Sequence, residues 1–265
     1  MEKSEISENP FTLTPRRQEL WSLLAPIHEN VAKELLKGAG KGGVFVVTGE
    51  PGVGKTTLLE RVGREMRGRN SLPVYVPCGA LVEGKEDLLR AILSGLYLKA
   101  EGSGMELYGR LRELAGSGRV VLLLDDLTSS SAPPKVLGET VRMLSDLPGF
   151  SLILVGTPKE MGGILKSCRA LASRILGIWE LEGIGPEEAW EMLKRRGKKA
   201  GIEVDRKTAL LLHRAGRGIP REILKLAMKA WDLSVERGIS FGEGVRILLG
   251  KKRKFRKSPK RPATR

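Results

Sequence analysis

Residues 44–67 read VFVVTGEPGVGKTTLLERVGREMR. Val44, Phe45, Val46, Val47 and Thr48 form a short apolar run bounded by glycines, the pattern of a strand buried on both faces rather than of a helix. The next eight residues, Gly49, Glu50, Pro51, Gly52, Val53, Gly54, Lys55 and Thr56, match GxxxxGK[ST] in full, and Thr57 follows them. A helix is predicted from Thr56 to about residue 67, so the motif lies between strand and helix, the context in which it has a mechanism. Its three glycines let successive backbone N–H groups curl inward toward phosphates, and the helix adds the positive end of its dipole. Lys55 is expected to reach the β- and γ-phosphates and the Thr56 hydroxyl to ligate magnesium, which makes ATP with Mg2+ the expected ligand.

A second chemical element lies downstream. VVLLLDD, residues 120–126, is an apolar strand that ends in two acids. Charges do not belong inside a buried strand, so Asp125 and Asp126 should emerge at its C-terminal edge, where α/β sheets place ligands. Asp125 fits the magnesium partner, and Asp126 the group that orients or deprotonates an attacking water. Taken alone, such a pair could also cap a helix; the upstream loop favours the metal-site reading.

Around these motifs strands and helices alternate. Further strands are predicted at residues 73–78, 120–124, 151–155 and 175–181, and helical stretches at 86–98 and 105–115, which argues for a parallel sheet with helices on both faces. Thr14 with Pro15 opens an amphipathic stretch that Pro26 interrupts before a second helix to about residue 36. From Pro186 the strand signals stop, and PEEAWEMLKRR, residues 205–215, residues 219–236 and a last short stretch at 241–249 all read as helices. Leu224, Ala227, Met228 and Trp231 fall at helical spacing and read as core packing. The expected organisation is an α/β core with a parallel five-stranded sheet at 37–185, preceded by a helical segment at 1–36 and followed by a small all-α lid at 186–250.

Nine of the fifteen net positive charges lie in KKRKFRKSPKRPATR, residues 251–265, which contains no acid. Such a segment cannot bury a core and is expected to be disordered on its own. It offers many phosphate-neutralising contacts, so DNA is the expected partner; a solubilising tail without a dedicated partner is the alternative. An anionic membrane would need an adjoining amphipathic anchor, which the sequence does not supply. Arg61, Arg64, Arg67 and Arg69, and Lys194, Arg195, Arg196, Lys198 and Lys199, fit solvated faces or a track for DNA. No apolar run of membrane-spanning length and no secretion signal occurs, so the cytosol is the expected compartment and no membrane partner is expected. Cys78 and Cys168 have no CxxC spacing and read as buried thiols rather than zinc ligands.

GEPGVGKT, LLLDD, the strand LILVGTP and the later GIPREI together resemble an AAA+ P-loop ATPase. Within that superfamily the order is similar to the replication-initiator (origin-recognition) group and to the ExeA-like and transposition-helper ATPases, over residues 14–249. The resemblance implies a P-loop NTPase core, and it assigns Thr157, at the end of LILVGT, to the first sensor, which polarises the catalytic water. It places an arginine finger, inserted by a neighbouring subunit, at Arg174 in LASRI, with Arg169 nearby as the other choice. It matches Arg221 in GIPREI to the second sensor carried by the lid. One departure stands out: the usual Asp-Glu pair is Asp125-Asp126 here, whose shorter second side chain puts the water's position in doubt. Initiators also usually continue into a winged-helix domain, for which this chain ends too soon.

The functional expectation is an ATP-hydrolysing protein that forms a homo-oligomer on DNA and works with a further protein in replication initiation, transposition or a related transaction. The alternative is a nucleotide-dependent signalling switch without a DNA role, because GKTTL, LLLDD and LEGIGPEEAW are also similar to the NB-ARC group.

Overall fold

Apolar runs flanked by glycine, proline or polar residues become the strands β1 (Gly43–Gly49), β2 (Leu72–Pro77), β3 (Val120–Asp125), β4 (Phe150–Gly156) and β5 (Ile175–Leu181) in the computed structural model, which describes residues 9–13, 26–79, 82–116 and 118–255. They form one sheet in the order β2-β3-β4-β1-β5, and every pairing is parallel. Alternate residues serve opposite faces. Val44, Val46, Leu122, Leu124, Leu152 and Leu154 point into one core, beneath α3 (Lys85–Gly95), α4 (Gly104–Leu114), α5 (Pro134–Ser145), α6 (Pro158–Ser167) and α7 (Arg169–Ala172). Phe45, Val47, Val121, Leu123, Ile153 and Val155 point into the other, against α1 (Pro26–Gly38) and α2 (Lys55–Arg67). A sheet covered on both sides needs apolar residues at nearly every strand position, which is why β1, β3 and β4 read as near-continuous hydrophobic runs.

The predicted strands all exist, and the five-stranded parallel sheet is as expected. Three further helices, α5 to α7, supply the crossovers between β3 and β5 that the strand pattern required. The amphipathic stretch opening at Thr14 lies outside the described residues. α1 starts at Pro26, the proline expected to interrupt the chain there.

The described residues divide into two compact units, 26–182 and a second formed by 183–255 with 9–13. The second unit is helical: α8 (Pro186–Lys199), α9 (Arg206–Ala215), α10 (Pro220–Arg237) and α11 (Phe241–Phe255). Leu224 and Ala227 are buried on α10, in keeping with the stripe read from the sequence. Phe11 is fully buried and stacks on Phe241 at 4.9 Å between centroids, while the Asn9 side-chain amide donates to the Met228 carbonyl at 3.1 Å and to Asp232 at 2.8 Å. A segment more than 200 residues distant in sequence is thereby held in this unit. α11 continues to Phe255, five residues into the stretch 251–265 expected to lack structure. Lysine and arginine are strong helix formers, so the helix runs on past Gly250; residues 256–265 lie outside the described ones.

Asp205 caps α9, its carboxylate accepting from the Thr208 backbone N–H at 2.6 Å. Asp205→Ala is expected to destabilise the protein by about 1 kcal/mol in chemical denaturation, whereas Asp205→Asn, which keeps the acceptor, should stay within a few tenths. Among the described residues no helix is long and apolar enough to cross a membrane.

Candidate nucleotide site

In a parallel sheet all C-terminal strand ends share one edge, and in this strand order the loops after β3, β4 and β1 are consecutive along it. They bring Asp125 and Asp126, Thr157, and the glycine-rich loop of residues 49–56 side by side. The loop turns through Gly52 and Gly54 at φ 92° and 111°, left-handed conformations that side chains other than glycine rarely adopt. Val53 is buried and anchors the turn, and Gly54 is the N-cap of α2. No side chain caps this helix. Its first N–H groups therefore remain directed at the loop, the arrangement that binds anions.

The Lys55 ammonium folds back over the loop and donates to the Gly49 carbonyl at 2.7 Å and to the Glu50 carbonyl at 3.0 Å. The positive charge is thus held over the concave turn. Thr56, the next residue, donates from its hydroxyl to Asp125 Oδ2 at 2.8 Å, tying the loop after β1 to the end of β3. Asp125 is 5% exposed. A buried carboxylate next to a hydroxyl presents hard oxygen ligands, the donor chemistry that suits Mg2+. Thr56 and Asp125 are the residues that would hold the metal, which when bound would supply positive charge against that of the phosphates.

Asp126 leaves the strand at φ 54° and ψ 35°, in the left-handed region, and its Oδ1 accepts from the Ser129 hydroxyl at 2.6 Å. This gives a physical reason for the second aspartate. Short side chains that bond locally enter this conformation with less strain than longer ones. Thr157 follows β4 and is the N-cap of α6, its hydroxyl engaged with the Glu160 carboxylate and backbone N–H. Its backbone N–H donates to the Thr128 hydroxyl at 3.1 Å. Thr128 therefore couples the loop after β3 to the loop after β4, a role with no signal in the sequence.

The same edge places Cys78 beneath the acids, with its backbone N–H donating to the Asp125 carbonyl at 2.9 Å. Burial, then the Asp125 and Asp126 charges, push its thiol up to about 12, so it stays a neutral packing group near pH 7. Cys168 is buried as well.

Loop, lysine, hydroxyl and acid pair stand together within residues 39–165, and those residues match the AAA domain family. Over that stretch the chain is similar to AAA domains. General secretion pathway protein A of Aeromonas hydrophila is 29% identical over 251 residues, covering 88% of this chain and 44% of that protein. The Holliday junction branch migration complex subunit RuvB of Kosmotoga olearia is 30% identical over 247 residues, covering 88% of this chain and 66% of that one. The chain thus spans less than two thirds of the length of either relative. Among solved structures, Cdc6p from Pyrobaculum aerophilum superposes with a TM-score of 0.67 at 18% identity, over 93% of this chain and 69% of that one. This last likeness is one of fold.

Of the two candidate arginines, Arg174 stands apart from the loop. Arg174 precedes β5 and so lies at the N-terminal edge of the sheet, roughly 20 Å from the nucleotide edge, the run of a seven-residue strand. It donates from Nε to Asp146 at 2.9 Å and from a terminal nitrogen to the Ala170 carbonyl at 2.6 Å. Arg142 bonds the other oxygen of Asp146 at 2.9 Å. Arg169 is exposed on α7. Arg221 lies exposed in the first turn of α10, in the helical unit. Arg61, one of the basic residues along α2, is engaged by Glu65 at 2.7 Å and Glu29 at 3.2 Å, and the Glu65 bond foremost raises its pKa.

Proposed function

We propose that this chain binds ATP with magnesium at residues 49–57, hydrolyses it, and uses the cycle in an assembly on DNA, in replication initiation, transposition or a related transaction. The observation that supports the nucleotide reading is the 2.8 Å bond between Thr56 and Asp125, which ties the glycine-rich loop to a buried acid at one sheet edge. In this reading the loop amides and Lys55 grip the triphosphate. Asp126 takes or orients the proton of the attacking water, and Thr157 polarises that water. Arg174 faces away from its own loop, so it would act on the nucleotide of a neighbouring subunit, which makes turnover depend on assembly. Arg221 would carry the nucleotide state to the helical lid.

The DNA part of the reading is supported by the concentration of charge in residues 251–265 and by the name of the RuvB relative. The helical unit adds less. Lys194 and Arg195 both face Glu191, so part of that basic face is already neutralised.

The test is the ATPase rate with and without duplex DNA at several salt concentrations. Stimulation that fades as salt rises is expected, because contacts to phosphate release counterions. A rate indifferent to DNA and to salt removes the DNA role and favours the nucleotide switch of NB-ARC kind. Deleting residues 256–265 should flatten the salt dependence while sparing the basal rate.

A further inference from the structure

Tyr75 lies on β2, the edge strand beside β3. In the β2–β3 register Tyr75 stands opposite Leu123 and Pro77 opposite Asp125, so Tyr75 and Asp125 are diagonal neighbours on one face of the sheet. Diagonal partners are within reach of an aromatic side chain. The phenol uses that reach: its hydroxyl donates to Asp125 Oδ2 at 2.6 Å, the same oxygen that accepts from Thr56. Among the described residues no donor falls on Oδ1. Two hydroxyls arriving from different elements fix both the rotamer and the twist of a carboxylate, where one alone would let it swing.

Tyr75 is 40% exposed, and a tyrosine at an edge strand needs no partner to be satisfied, since water would serve. Its hydroxyl is turned to Asp125 instead.

We propose that Tyr75 is a positioning residue for the metal: its hydroxyl, paired with that of Thr56, holds the Asp125 carboxylate by Oδ2 and keeps Oδ1 for magnesium. The proposal rests on the nucleotide reading above. Hydrogen-bond partners of metal-ligating groups set ligand orientation, and losing one typically weakens metal binding by about tenfold or more.

The test uses the full chain and calorimetric binding of a non-hydrolysable ATP analogue, once in EDTA and once across a magnesium titration. For Tyr75→Phe, affinity in EDTA should match the wild type, while the magnesium midpoint rises about tenfold. Tyr75→Leu, which also loses the ring, should show the same midpoint shift, because the shift belongs to the hydroxyl. A Phe variant whose midpoint stays within about twofold of the wild type overturns the proposal. So does a loss in EDTA that parallels the loss in magnesium, since a distorted loop would act on both. Wild-type protein that binds no analogue in either buffer overturns the nucleotide reading itself, and the proposal with it.

Discussion

Lys55→Ala is expected to lower the affinity for ATP by about a hundredfold or more, into the range where calorimetry records no heat at micromolar protein. Each charge-assisted bond to a phosphate oxygen is worth about 1.5–3 kcal/mol, and in the proposed role the ammonium would address two phosphates, so even the low end of that range gives two orders of magnitude. The structure adds a second cost. The ammonium also bridges the carbonyls of Gly49 and Glu50, so its removal unties the turn that aims the amides. Lys55→Arg separates the two contributions: it restores charge but is too bulky and planar to sit over the same turn, and should recover only part of the affinity. A variant lacking Lys55 that binds ATP as the wild type does removes the assignment of the loop.

Asp126→Asn is expected to leave ATP binding intact and to slow hydrolysis by about 10²–10⁴-fold, the usual worth of a positioned general base. Asparagine is the informative choice because it tolerates the left-handed backbone at this residue and can still accept from Ser129. What changes is the capacity to take a proton. Alanine would confound that loss with strain at φ 54°. If Arg174 acts between subunits, mixing Asp126→Asn with Arg174→Ala protein should recover activity that neither has alone. A turnover rate for Asp126→Asn within about threefold of the wild type would assign the base elsewhere.

The parts of this site that could be read from the sequence are those built from consecutive residues. The strand, the loop and the start of α2 occupy one unbroken stretch, and the acid pair ends a strand whose hydrophobicity marks it as central. Local chemistry decides both. Tyr75 escaped because its role depends on β2 lying beside β3, and strand order is a property of the crossovers rather than of PVYVP. Thr128 and Ser129 escaped for a related reason: they work through the left-handed turn at Asp126, and nothing in DDLTSS announces that conformation. In the helical unit, no pattern within residues 9–13 says that Phe11 will meet Phe241. The exit of α11 was misplaced because glycine at residue 250 and the charges after it resemble a helix end, although a helix seated on its neighbours can continue through both.

Asp146 holds Arg142 and Arg174 at once, with all three side chains about a third or more open to solvent. Ion pairs in such surroundings contribute little, of the order of 0–1 kcal/mol, and less still at cellular salt. The guanidinium of Arg174 is therefore parked rather than locked: its direction is defined while the subunit is alone, yet a triphosphate offered from outside could draw it away at small cost. Asp146 keeps its charge compensated by Arg142 in either state, so release of one arginine leaves no stranded carboxylate behind.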